Sequence, residues 1–155
     1  MNDADKKKVE PVRDQLFLLD RGLGNFLTRG SSTLEFWKKL EAPDDAIKAL
    51  KSTIIPGLKE LLKEGKPLKK KMEDVFRDVR DLDKYASCRE YRNDLKKVLA
   101  PFYAFDRTAV VLRSDVSNAP KEIEPRSPLV KALLSYLTEI TDALNGATIA
   151  MRKLN

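Results

Sequence analysis

The sequence predicts an all-α protein, an up-and-down antiparallel helix bundle of four long helices plus a short interrupted helix, in a single domain over residues 1–155. Three observations lead there. Apolar residues recur at alternating spacings of three and four along most of the chain, which gives each helix one face to bury. No segment alternates with period two for long enough to make a strand. Residues that start and stop helices stand at the ends of the apolar stripes. The composition, 42% hydrophobic and 35% charged with few Gly and Pro, suits amphipathic helices and argues against a disordered chain.

Each element follows from its own stripe. Val9, Val12, Leu16, Leu19, Leu23 and Phe26 predict a helix over 9–28, stopped at Gly30, with Ser31 and Ser32 placed to cap the next helix. Leu34, Trp37 and Leu40 fit a short helix, broken at Ala42-Pro43-Asp44. Ile47, Leu50, Ile54, Leu58, Leu61 and Leu62 predict a helix over 45–63, kinked at Pro56, which has no N–H to donate. Gly65-Lys66-Pro67 reads as a tight turn with Pro at the first helical position. Leu68, Met72, Val75, Val79, Leu82 and Ala86 form the next stripe. The phase slips at residue 87, where Ser87-Cys88-Arg89-Glu90 has the form of a capping box. From there Cys88, Tyr91, Leu95, Val98, Phe102, Phe105, Ala109 and Leu112 continue the spacing, with a bend expected at Pro101. Residues 114–127 contain Pro120, Pro125 and an acidic excess and read as a long surface loop. The stripe from Leu129 to Leu154 predicts a last helix over 128–153, capped at Ser127.

Chemistry is bounded mainly by what the residues lack. The chain has no histidine, which removes the commonest general base and metal ligand, and its one cysteine, Cys88, has no partner for a disulfide or a zinc site. The expectation is therefore a protein that is not an enzyme and holds no cofactor or metal, with Cys88 as a small core residue. Asp74, Asp78 and Asp81 stand at helical offsets from Arg77, Arg80 and Lys84 that favour ion pairing over acid-base work. Gly22-Leu23-Gly24 lacks the strand and the third glycine of a phosphate loop. Trp37, Tyr85, Tyr91, Phe102, Tyr103 and Phe105 have the spacing of core aromatics. No apolar run approaches the roughly 20 residues of a membrane helix, and residues 2–8 lack the apolar stretch of a signal peptide.

Charge points instead to a partner. The 30 Lys and Arg against 24 Asp and Glu give a net charge of +6, but most of the basic charge is interleaved with acid, which fits an acidic protein surface better than nucleic acid. Lys66, Lys69, Lys70 and Lys71 crowd the expected start of a helix, where the macrodipole disfavours cations. Arg89, Arg92 and Lys96 share one face of the following helix, which a tight turn would bring close to the lysines. With Trp37, whose short helix is set between Gly30 and Pro43, these residues form the candidate contact surface.

Asp81-Leu82-Asp83-Lys84-Tyr85-Ala86, followed by Tyr91-Arg92-Asn93-Asp94-Leu95 and Val98-Leu99, resembles the Leu-Asp-x-Ala-Ala segment and the following Tyr-containing helix of the PsbQ-like extrinsic subunits of photosystem II. The resemblance implies a protein of the thylakoid lumen, peripheral to the membrane, that docks on the membrane-intrinsic complex through basic side chains. It also implies help in retaining calcium and chloride for water oxidation, without performing that chemistry. No contact motif of the family is matched position by position, so the resemblance assigns no binding residue. Two other classes stay open: a cytoplasmic or secreted helical adaptor or effector that docks through a helix face or Trp37, and a carrier with an apolar cavity between its helices.

Overall fold

The computed structural model describes residues 1–40, 45, 48, 50–119 and 128–154, and its long elements are four helices, with no strand among the described residues. We number them α1 (Asp3–Lys38), α2 (Ile55–Arg80), α3 (Cys88–Ser117) and α4 (Pro128–Arg152). A π turn, Leu50–Ile54, leads into α2, and a short 3-10 turn, Leu82–Lys84, follows it. Each helix packs on the next in sequence, and α4 closes the ring by packing most extensively on α1.

The directions follow from the side chains that meet. Along α1–α2, Gly30 faces Leu62, Asp20 faces Lys69 and Phe17 faces Phe76, so the two helices are antiparallel. Across α3–α4, Asp106 accepts from Thr141 at 2.6 Å, Arg113 donates to Thr138 at 3.1 Å, and Tyr103 hydrogen-bonds Thr148. The bundle is all-α and up-and-down, as its stripes predict, and those stripes make its core: Val9, Leu16, Leu23, Phe26, Leu58, Met72, Tyr91, Phe102, Leu133 and Ile140 are all buried.

The boundaries correct the sequence reading in three places. First, α1 does not stop at Gly30. It runs unbroken for 36 residues and absorbs the short helix expected around Trp37. Gly30 is buried, and a Cβ there would stand 2.8 Å from Leu62 Cδ2, so the glycine serves close approach of α2 rather than termination. Ser31, Ser32 and Thr33 bond back to the carbonyls four residues earlier instead of capping.

Second, α2 passes straight through Gly65-Lys66-Pro67, where a turn was expected. The buried positions Leu58, Leu61, Gly65, Leu68, Met72, Val75 and Val79 keep a three-four phase across it, and that continuous apolar face outweighs the roughly 3 kcal/mol that proline costs inside a helix. A Cβ at Gly65 would meet Leu27, Phe105 and Leu23, so this is where α1, α2 and α3 approach one another. The kink expected at Pro56 takes the form of a change in winding. The π turn ends at Ile54, and Pro56 falls in the first turn of α2, where a missing N–H costs least.

Third, α2 ends at Arg80 rather than Ala86, and α3 extends to Ser117 into the segment read as loop. The cap expected at Ser87 is present: Ser87 accepts from the Glu90 N–H, and Glu90 reaches back to accept from the Ala86 N–H at 3.0 Å, one residue before the N-cap N–H that a strict capping box uses. The break at 42–44, the loop residues 120–127 and the cap at Ser127 lie outside the described residues.

Gly24 differs from Gly30 and Gly65 in what surrounds it. A Cβ there would meet only the tip of Lys69, at 3.5 Å, which is ordinary contact. Gly24→Ala should therefore stabilise the fold by about 0.5–1 kcal/mol through helix propensity alone, read as a higher urea midpoint; a lower one would mean the α1–α2 seam is tighter at that point than this spacing allows.

Candidate docking surface

The basic residues singled out in the sequence do not form one patch. Lys66, Lys69, Lys70 and Lys71 lie in the middle of α2, not at a helix start, so the macrodipole argument for an acidic partner no longer applies to them. At 100° per residue, neighbouring lysines must also fan out around the helix. Lys69 turns toward α1, where it pairs with Asp20 at 2.5 Å. Lys66 and Lys70 point outward and are exposed, whereas Lys71 falls on the same half of α2 as Glu60, Glu64, Asp74 and Asp78.

Arg89, Arg92 and Lys96 share the half of α3 that faces α4, away from α2. Arg92 is half-buried and donates to the Leu154 carbonyl at 2.7 Å at the end of the chain, while Arg89 and Lys96 are exposed. Trp37 is only 2% exposed and sits in the core at the end of α1, so its ring is not presented to a partner; its indole N–H has no hydrogen-bond partner among the described residues.

What the continuous α2 assembles is a different set. Lys59, Lys63, Lys66 and Lys70 recur at spacings of four, three and four, all exposed, and Arg77 continues the line two turns later. None of the four lysines is in an ion pair among the described residues, whereas Arg77 pairs with Asp74 at 3.1 Å. Glu60, Glu64, Asp74 and Asp78 lie on the α3-facing flank, where burial first, then the neighbouring Glu60, raise the Glu64 carboxyl above its usual range, whereas Glu73 stands on the α1 side beside Lys69 and Lys70. From Lys59 to Lys70 the outer surface of α2 is thus split lengthwise into a basic edge toward α1 and an acidic edge toward α3.

Beside the basic edge runs the α1–α2 seam. A groove of about 380 Å³ is lined by Ser31, Leu34, Glu35, Lys59, Leu62, Lys63 and Lys66. Further along, Phe17 and Phe76 stack at 4.8 Å with Phe17 54% exposed, next to a groove bounded by Asp20, Lys69, Lys70 and Glu73. The sequence reading missed Phe17. Its signal was an aromatic one residue out of phase with the Leu16–Leu19 stripe, which places it off the core face.

The opposite end of the bundle is closed by buried side chains. Tyr85, Cys88 and Tyr91 are buried together, with the Tyr85 and Tyr91 rings edge-on at 5.2 Å. Burial raises all three above their ordinary pKa values, and the Cys88 thiol donates to the Asp5 carbonyl at 3.5 Å, as a packed rather than a reactive cysteine does. At the rim of that end, Lys6 hydrogen-bonds Asp83 at 2.6 Å, which raises the amine and lowers the carboxyl, and Lys84 pairs with Asp78. With Arg77–Asp74, the aspartates of 74–83 that are paired sit in solvated ion pairs.

Among the described residues no cluster of three or more His, Cys, Asp or Glu is placed to hold a metal ion, and no helix is long and apolar enough to cross a membrane. Compared with protein-family models, with characterised proteins and with solved structures, the chain shows no match.

Proposed function

We propose that this chain is a non-catalytic extrinsic subunit, a docking bundle of the PsbQ-like kind that sits on the lumenal face of photosystem II and stabilises the oxygen-evolving complex. The observation that carries the reading is the basic edge of α2, whose four lysines are in no ion pair among the described residues, presented on an up-and-down bundle. Exposed lysines held in line on one helix suit reversible electrostatic attachment to an acidic protein surface. The adaptor alternative is less favoured in the form that relies on Trp37, because that ring is in the core.

Attachment of this kind is screened by salt. Thylakoid membranes that carry the chain should hold it at low ionic strength and release it into the supernatant at about 1 M NaCl, where the Debye length shrinks to about 3 Å. Retention through that wash, or absence of the chain from thylakoid membranes, would sink this reading.

A further inference from the structure

We infer that the basic edge of α2, together with the α1–α2 seam beside it, is a linear docking site for an acidic helical segment that carries one apolar anchor. The inference rests on the docking reading for its biological setting but not for its chemistry.

Lys59 to Lys70 spans about 16 Å along the helix axis, three turns, with four ammonium groups on one line. A second helix laid along that line would present carboxylates at the same three-four spacing. The shape of the charge selects the occupant. Glu60, Glu64, Asp74 and Asp78 run parallel to the lysines along the other edge of α2, so a broad anionic surface such as a lipid headgroup layer meets both signs at once. A helix about 10 Å wide, seated toward α1, meets the lysines and leaves those four acids in water; Asp20 and Glu73 lie past the lysines, beside the aromatic pair, where Asp20 is already paired with Lys69.

The seam supplies the second half of the site. Its groove is floored by Leu34 and Leu62, and Glu35 on its wall is already engaged by Lys38 at 3.6 Å. Beyond Lys70 the stacked Phe17 and Phe76 offer an exposed aromatic face, the kind of surface on which an apolar side chain fixes register. Charge then sets the encounter, and the aromatic pair sets which way the segment points.

The test uses the purified full chain and a labelled synthetic helical peptide with four Glu on one face and a Phe one turn beyond them, followed by fluorescence anisotropy at low salt. Reversal of the edge, Lys59→Glu, Lys63→Glu, Lys66→Glu and Lys70→Glu together, should weaken binding at least about tenfold. An equal charge change elsewhere, Lys96→Glu, Lys97→Glu, Arg107→Glu and Lys131→Glu, should weaken it less than about threefold. Should the reversed chain lose its helical circular dichroism, the four Lys→Gln changes replace it, with the same ranking expected. Phe17→Ser with Phe76→Ser should weaken the Phe-bearing peptide and leave an Ala-bearing version unchanged.

Equal losses from the two reversals would reduce the effect to net charge and overturn the site, as would failure of the unaltered chain to bind the peptide. Tighter binding of an oligonucleotide or of phosphatidylserine vesicles, lost on edge reversal, would overturn the acidic helix as occupant. Because the purified chain is used, the site can stand while the photosystem reading fails, and the reverse.

Discussion

Phe26→Ala should remove about 3–5 kcal/mol of folding free energy, a large part of the roughly 5–15 kcal/mol that holds a domain of this size together. The ring is fully buried and stands edge-on to Phe105 at 5.8 Å, beside Gly30 and near Leu62, where Leu62 of α2 packs against the α1 backbone. Truncation leaves a cavity that these neighbours cannot fill, because Leu62 is itself braced against the Gly30 backbone. The urea midpoint should fall with the slope unchanged. Phe17→Ala is the matched control. That ring is more than half exposed, and its loss removes only the stack on Phe76, worth about 0.5–1.5 kcal/mol. If the two substitutions cost the same, the phase assigned to α1 is wrong.

Alkaline pH should loosen the opposite end. Tyr91 is 1% exposed with its hydroxyl unpartnered among the described residues, and burial raises its pKa above the ordinary tyrosine value. Unfolded, Tyr91 loses its proton near pH 10, whereas folded it keeps it. Above that pH the unfolded state binds fewer protons than the native state, so stability is complete below about pH 10 and falls as pH rises past it. Tyr85 and Cys88, raised in the same direction by burial, add to the loss, as do Lys6 and Lys84, held protonated by Asp83 and Asp78. Tyr91→Phe isolates one contribution. It should make the fall between about pH 9 and 11 shallower and leave stability at pH 7 unchanged or about 1 kcal/mol higher, because a buried hydroxyl without a partner is removed. Urea midpoints across that range decide it; a variant weaker at neutral pH, with the alkaline fall intact, would show that the hydroxyl is satisfied.

The errors and successes of the sequence reading share one cause. In this chain the phase of the apolar positions outranks local punctuation by Gly and Pro. Gly30 and Gly65-Lys66-Pro67 look like stops, yet Phe26, Gly30, Thr33 and Trp37, and likewise Leu61, Gly65, Leu68 and Met72, keep their spacing across them, and the helices continue. At residues 81–87 the phase truly slips, and the chain breaks there with the cap that Ser87 and Glu90 announce. Helix ends hidden from the phase argument, Arg80 and Ser117, were missed by several residues. The basic edge was illegible for a related reason: an assumed turn at residue 65 divided Lys59 and Lys63 from Lys66 and Lys70. Only a continuous α2 puts them on one line.

The single tryptophan and the single cysteine, Trp37 and Cys88, are both buried and sit at opposite ends of α1, since Cys88 bonds the carbonyl of Asp5. About 48 Å of helix separates them. The chain therefore carries its own pair of spectroscopic and chemical reporters, indole emission at one pole and thiol labelling at the other. Whether the two change together under denaturant measures directly, without any added dye, whether the bundle melts as one cooperative unit or frays from a single pole.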